Sequence, residues 1–273
     1  MSPRRLGQHF LADASWRERI LRHLRPQRDD AWLEIGAGHG EMTRELARAA
    51  RRVVAVELDP PLIDTLRELA SRHRNIEIVA GNILALDLQK LLGEQKFRVY
   101  GSLPYYITSP ILRRLFEAAE RLEAIYVVIQ FEVAARIVAA PGRRDYGFLS
   151  VLAQHFAQPE ILLRIPPGAF RPRPKVDSAL VALRLRPDRG EFAAEEEKQF
   201  LEFVGTCFAQ KRKTLLNNLK GGGAARAQAA LCAAGISENA RAEQLSVQQF
   251  AELFRAWTTI RSAPARAGRE NRS

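Results

Sequence analysis

Apolar residues recur along this chain with a helical period in some stretches and as short runs in others, and the two kinds alternate. Trp16, Ile20, Leu21 and Leu24 fall on one face of a helix, with Asp13 placed to cap its start and Pro26 beyond its end. Residues 31–35 read as a short buried strand, followed by a glycine turn and a helix through Met42, Leu46 and Ala49. The unit repeats, with a strand over 52–58, a helix from Pro60 whose inner face is Leu62, Leu66 and Leu69, and a strand over 76–79. Further strands are expected over 97–100, 124–129 and 176–185, with a helix over 109–119 between two of them. This alternation predicts an α/β fold, a mostly parallel sheet with helices on both faces.

After residue 185 the pattern becomes helical throughout. A polar, proline-containing link over 186–190 precedes helices expected over 194–208, 211–219, 224–233 and 247–257, and the glycines at 221–223 break the second from the third. We therefore divide the chain into a sheet domain over 1–187, a small helical domain over 188–260 and a disordered basic tail over 261–273.

Composition narrows the partners. Apolar residues at 47% and charged residues at 27% exclude a mainly disordered or collagen-like chain. Cys207 and Cys232 are the only cysteines, and neither has a cysteine or histidine at metal-ligand spacing, so no metal site and a reducing compartment are expected. No apolar run approaches the ~20 residues a bilayer demands, and the amino terminus lacks a signal-peptide core. A cytoplasmic protein with no membrane contact is expected, and nothing demands more than a monomer. Net charge is +11 and is carried mostly by arginine. A GC-rich genome would explain arginine in place of lysine but not the excess of cations, which favours a nucleic-acid partner.

The chemistry starts at residues 32–40. The strand ending in Ile35 runs into Gly36-Ala37-Gly38-His39-Gly40 and then a helix, a turn that lets backbone approach a ligand closely and points helix-terminal amides toward it. Glu57 lies 21 residues after Gly36, near the end of the next strand, where an acid can accept both hydroxyls of a ribose. Those two features leave a dinucleotide and S-adenosylmethionine open. The spacing then decides against the dinucleotide, whose fingerprint is Gly-x-Gly-x-x-Gly, and Glu41 would repel a pyrophosphate. Asn82, after the third strand, can pair with an adenine edge or simply hold a turn.

Gly101-Ser102-Leu103-Pro104-Tyr105-Tyr106 follows the fourth strand. Proline fixes such a turn, backbone carbonyls can face outward as acceptors, and an aromatic ring can stack on a base. An exocyclic amine suits that arrangement. Carbonyls accepting its N–H bonds favour a pyramidal nitrogen, and stacking aligns it with a methyl donor, so catalysis rests on positioning and electrostatics.

Seven ordered segments, over residues 6–11, 34–38, 56–59, 102–110, 146–151, 170–178 and 211–219, together resemble the ribosomal RNA adenine dimethyltransferases of the KsgA (RsmA) type. The resemblance spans residues 6–254. It implies a Rossmann-like class I S-adenosylmethionine-dependent methyltransferase sheet, a helical rRNA-binding domain, and dimethylation at N6 of two adjacent adenosines in the 3′-terminal hairpin of 16S rRNA. The substrate it implies is the 30S ribosomal subunit or its precursor. Carried over position by position, it assigns cofactor contacts to His9, Leu11, Gly36, Gly38, Glu57, Asn82 and Ser102. The target base would face Ser102, the backbone of Leu103 and Pro104, and the Tyr105 ring. The family usually has Asp where this chain has Asn82 and Asn where it has Ser102. A shorter acceptor at Ser102 implies weakened activity and keeps open an assembly factor that binds rRNA without catalysis. A macrolide-resistance type methyltransferase acting on the large subunit shares the amino-terminal segments, but residues 175–178 and 211–219 look like the KsgA type. Candidate phosphate contacts are Arg113, Arg114, Arg143, Arg144, Arg171, Arg173, Lys175, Lys211, Arg212 and Lys213.

Overall fold

The computed structural model describes residues 9–104, 107–186 and 192–262. In chain order the elements are β1 (Phe10–Leu11), α1 (Ala14–Leu24), β2 (Ala31–Ile35), α2 (Glu41–Ala49), β3 (Arg52–Glu57), α3 (Pro60–Arg72), β4 (Ile76–Ala80), α4 (Leu88–Leu92), β5 (Phe97–Ser102), α5 (Thr108–Glu117), β6 (Leu122–Gln130), α6 (Phe131–Val138), α7 (Phe148–Phe156), β7 (Ala157–Ile165), β8 (Phe170–Arg171), β9 (Ser178–Leu185), α8 (Ala194–Cys207), α9 (Leu215–Leu219), α10 (Ala224–Ala233) and α11 (Val247–Ser262). Tyr105, residues 6–8 of the first matched segment, the expected boundary at 187 and the tail from 263 onward lie outside the described residues.

The chain divides into two compact units, Met1–Val138 with Phe156–Pro187, and Ala139–His155 with Asp188–Ser273. The first holds a seven-stranded sheet in the order β4-β3-β2-β5-β6-β9-β7. β4 through β6 run parallel, whereas β9 is antiparallel to β6 and β7 to β9. Trp32, Leu33, Val53, Val54, Val99, Ile125 and Val127 are fully buried, as central strands covered on both faces require, and that double burial is why they read as unbroken apolar runs. The chain places β3 on one side of β2 and β5 on the other, so β2 and β5 flank the point where strand order reverses. A crevice opens there at their carboxyl ends.

α1 begins where expected, since the Asp13 side chain accepts the Ser15 and Trp16 amides while Ile20 and Leu24 turn inward. β7 was not expected. It is the sheet edge, half-exposed, and Gln158, Pro159 and Glu160 break its apolar pattern.

In the second unit Phe200, Phe203, Phe254 and Trp257 form a chain of ring contacts through α8 and α11, and the Phe250 ring lies 5.5 Å from that of Phe208. Residues 139–155, which the sequence reading left with the sheet, pack here instead. The Gly142 amide donates to the Glu243 carbonyl at 2.7 Å, Lys211 Nζ to the Arg144 carbonyl at 2.9 Å, and the Tyr146 and Phe208 rings lie 6.3 Å apart. Two further boundaries shift. Lys211, Arg212 and Lys213 form a turn rather than the first turn of a helix, because Thr214 caps α9 through the Asn217 amide. α11 continues to Ser262, past the expected start of the tail at 261. Among the described residues no helix is long and apolar enough to cross a membrane.

Candidate active site

Two loops meet at the ends of neighbouring strands. Ile35 stands opposite Gly101 in the parallel β2–β5 pair, so the loop opening at Gly36 lies beside Ser102, and a Cβ on Gly36 would stand 3.6 Å from the Ser102 carbonyl. Gly36, Gly38 and Gly40 have φ of 72°, 59° and 82°, left-handed conformations that glycine adopts at least cost. At Gly38 a Cβ would also meet the Phe10 ring at 3.1 Å. Phe10 is held there by β1, which pairs antiparallel with β8, and its ring lies 4.9 Å from that of His39. His9 shares this anchorage, its Nδ1 donating to the Pro172 carbonyl at 2.7 Å.

One cleft is lined by His9, Leu11, Gly36, Gly38, Glu57 and Ser102, with Leu103 and Pro104 at its edge. The structure thus gathers the sequence-expected residues from four separate segments. Asn82 is not among the lining residues. Its Oδ1 accepts the Leu84 amide at 3.0 Å in a turn after β4, so the side chain has a holding role in the fold and only one acceptor lone pair left for an adenine amine.

The loop amides differ from expectation. Gly36 and Ala37 donate to the Val56 carbonyl, Gly38 to the Glu57 carboxylate and Gly40 to the Ala37 carbonyl, so these N–H groups are committed within the loop. The glycines provide an open wall rather than an anion cradle. Glu57 is buried, with Oε2 accepting from Gly38 at 2.9 Å and Oε1 from Leu58 and Asp59 at 2.8 and 3.0 Å. Three of about four acceptor positions on the carboxylate are filled, which leaves one on Oε2 for a single hydroxyl rather than two.

At the other wall the Leu103 amide donates to the Val128 carbonyl, fixing the turn after β5. The Pro104 carbonyl accepts from the Ile107 amide at 3.2 Å and the Thr108 hydroxyl at 3.4 Å, so it starts α5 and is not a free acceptor. Among the described residues no donor is recorded on the Leu103 carbonyl, which with the Ser102 side chain makes the acceptor pair of this wall.

Sequence reading missed two charged residues in the cleft, Arg17 and Glu34. Glu34 is 2% exposed, its Oε2 makes no hydrogen bond, and burial pushes its carboxyl up to about 8, with the charges of Glu41 and Glu57 adding to the effect. The Thr43 hydroxyl opposes that shift only in part and makes no hydrogen bond of normal geometry. A lone acid inside the fully buried strand 31–35 was the available signal.

The ten basic positions divide by their contacts. Arg114 donates to the Leu86 carbonyl at 2.7 Å and to Glu117 at 2.9 Å, and Arg113 lies 3.8 Å from Glu117. Both serve the fold locally. Arg171 donates to the carbonyls of Gly168 and Phe170, while Arg173 and Lys175 are exposed. In the second unit the Lys211–Arg144 contact unites 143–144 and 211–213 into a single exposed basic surface.

The family model described as ribosomal RNA adenine dimethylase matches residues 2–259. This chain belongs to that family. As a ribosomal RNA adenine dimethylase it is an S-adenosylmethionine-dependent methyltransferase. It is 40% identical to the ribosomal RNA small subunit methyltransferase A of Koribacter versatilis over 264 residues, 92% of each chain. The protein of the same name from Alkaliphilus metalliredigens is 37% identical over 91% of this chain and 89% of that one. Among solved structures, the 23S rRNA methyltransferase ErmE is 32% identical with a TM-score of 0.69, over 91% of this chain and 99% of that one. A dimethyladenosine transferase from Plasmodium falciparum, 20% identical with a TM-score of 0.77 over 92% and 98%, has the same fold.

The cleft of this dimethylase fits the family's cofactor. A sulfonium nucleoside needs an acceptor for a ribose hydroxyl, a wall free of side chains and no phosphate site. Glu57, the Gly36–Gly38 stretch and the committed loop amides supply those three conditions. The buried, unpartnered Glu34 oxygen is a further place for a cationic group.

Proposed function

We propose that this chain transfers two methyl groups from S-adenosylmethionine to N6 of each of two adjacent adenosines in the 3′-terminal hairpin of 16S rRNA. It acts as a cytoplasmic monomer on the 30S subunit or its precursor. The observation that carries the reading is one cleft whose walls are the glycine loop with Glu57 and, opposite, Ser102 and Leu103.

When bound, the cofactor supplies an electrophilic methyl carbon. The chain's task is to present the amine. Glu57 Oε2 takes a ribose hydroxyl, and His9, Leu11, Gly36 and Gly38 enclose the nucleoside. The Ser102 hydroxyl and the Leu103 carbonyl accept the two N–H bonds of the adenine amine and direct its lone pair toward the donor. With the Pro104 carbonyl committed to α5, the target base loses one of the acceptors assigned from sequence, and Ser102 reaches less far than an amide side chain. Its reach extends through a bridging water. Asn82, whose Oδ1 holds the turn after β4, keeps one lone pair there for the adenine amine, and Tyr105 supplies the stacking ring. The basic surface of Arg143, Arg144, Lys211, Arg212 and Lys213 holds rRNA phosphates, with Arg171, Arg173 and Lys175 adding contacts at the sheet unit.

The Ser102 and Pro104 geometry also favours a second reading, an assembly factor that docks on the small subunit with little turnover. Labelled methyl transfer to unmethylated small subunits separates the two. The enzyme reading expects transfer by the natural chain, increased on the order of 10²-fold in Ser102→Asn, and none to large subunits. Tight docking with no transfer by either chain leaves the assembly factor.

A further inference from the structure

Beside the cleft, where β6 and β7 end and β9 begins, an arginine, an aspartate and a phenylalanine form a cluster that methyl transfer leaves unused. The Arg164 guanidinium lies over the Phe131 ring, 4.4 Å from its centroid. Its Nε and Nη2 both reach Asp177 Oδ2, at 2.7 and 2.6 Å. The Phe131 amide donates to the Asp177 carbonyl at 2.9 Å, which fixes the ring and the carboxylate relative to each other. The guanidinium is thus held flat, with one face on a ring and one edge on an acid. Its side chain is nevertheless 64% exposed, so the outer face of the plane and Nη1 are what it presents to solvent.

A group held in this way suits a nucleobase better than an anion. Asp177 cancels the charge that a phosphate would seek, whereas a base needs a flat, weakly hydrated surface on which to stack. Val176, next to Asp177 in the chain, adds apolar surface and is one of two large apolar side chains left exposed among the described residues. An exposed ion pair contributes little to stability, so holding the fold is a weak reason for the arrangement.

The position of the cluster says which base it fits. Ser178 lines the cleft and stands opposite Gln130 of β6 and Ile165 of β7. Asp177, Phe131 and Arg164 are the chain neighbours of those three residues. Strand pleating turns neighbours to the other face of the sheet, so the cluster borders the cleft without lining it, about 6 Å away by one strand spacing and one residue. That is a place for the base next to the target.

We propose that the Arg164–Phe131 stack is a platform for the adenosine adjacent to the one in the cleft, a nucleobase subsite that rests on the rRNA reading above. While one adenosine presents its amine to the methyl donor, its neighbour lies on the outer guanidinium face through stacking and cation–π contact.

Binding of the full chain to unmethylated small subunits, reconstituted with rRNA that is intact or abasic at one of the two adenosines, tests this. The natural chain should bind intact subunits about fivefold to a hundredfold tighter than either abasic form, because the remaining adenosine takes the cleft and the platform stands empty. Arg164→Ala should bind both forms as the natural chain binds the abasic ones, with the slope of log K against log salt concentration unchanged. Arg164→Lys should behave like Arg164→Ala, since an ammonium has no plane, and Phe131→Leu should lose part of the preference. Equal affinity of the natural chain for intact and abasic subunits overturns the proposal, as does an abasic penalty that survives Arg164→Ala. Full rescue by Arg164→Lys, with a slope lowered by about 0.7–0.9 in Arg164→Ala, marks a phosphate contact and overturns it as well. Failure of the natural chain to bind intact subunits overturns the rRNA reading and this inference with it, so the two failures are distinct.

Discussion

The Gly38 amide donates to Glu57 Oε2 at 2.9 Å, and that bond ties the loop after β2 to the last residue of β3. Two segments that sequence reading assigned to different parts of a ligand are therefore one unit before any ligand arrives. The carboxylate has a structural task as well as a binding one, since three buried or half-buried amides depend on it.

Replacing Glu57 by Gln tests both tasks. Glutamine keeps the volume but offers one oxygen, so at least one of the three amides faces an NH₂ group. An unsatisfied buried donor costs about 1–3 kcal/mol. Denaturant unfolding should show a loss of that size, and the affinity for S-adenosylhomocysteine should fall by about tenfold or more. An unchanged unfolding midpoint would mean that the carboxylate does not hold the loop.

Gly38→Ala should act through two separable effects. Its φ of 59° strains a residue with a Cβ by about 1–2 kcal/mol, and the new methyl would press on the Phe10 ring at 3.1 Å. Phe10→Ala in the same background removes the second effect alone. The double variant should therefore lose less on adding the alanine than the natural chain does, and additive losses would show that the ring contact carries nothing.

Much of this was legible because central parallel strands are buried on both faces. Trp32 to Ile35, Val53 to Val56 and Ile125 to Ile129 announce themselves as apolar runs. β1 and β8 did not, because two-residue strands exist only through each other, and Phe10 and Arg171 are 161 positions apart. Glu34 and Arg17 escaped for opposite reasons. The first sits in a run whose apolar neighbours mask it, and the second sits on a helix whose polar face reads as solvent. Conversely, the Pro104 carbonyl looked available because no residue pattern shows that Thr108 and Ile107 fold back onto it.

Glu34 gives the protein an unusual dependence of stability on pH. Its carboxyl titrates at about 8 in the fold, against an ordinary value of 4.5. Between those values the folded chain holds a proton that the unfolded chain has released, so this group's contribution falls as pH rises through the window and levels off above it. Fully expressed, the fall is roughly 3–5 kcal/mol. Thermal or denaturant unfolding of the natural chain and of Glu34→Gln, followed from pH 5 to pH 9, should show the slope in the first and its absence in the second. Parallel curves would place the proton elsewhere.

The basic positions should separate in the salt dependence of rRNA binding. Arg212 and Lys213 stand exposed in the turn that Thr214 terminates, beside Lys211 and Arg144, and among the described residues no side-chain contact is recorded for either. Each, if it neutralises one phosphate, adds about 0.7–0.9 to the slope of log K against log salt concentration. Arg212→Ala and Lys213→Ala should each reduce the slope by about that amount and leave unfolding unchanged. Arg114→Ala should do the reverse, because its guanidinium is spent on the Leu86 carbonyl and Glu117. An Arg114 variant that lowers the slope as much as the other two would move the RNA path onto α5, where its partner Glu117 would have to release it.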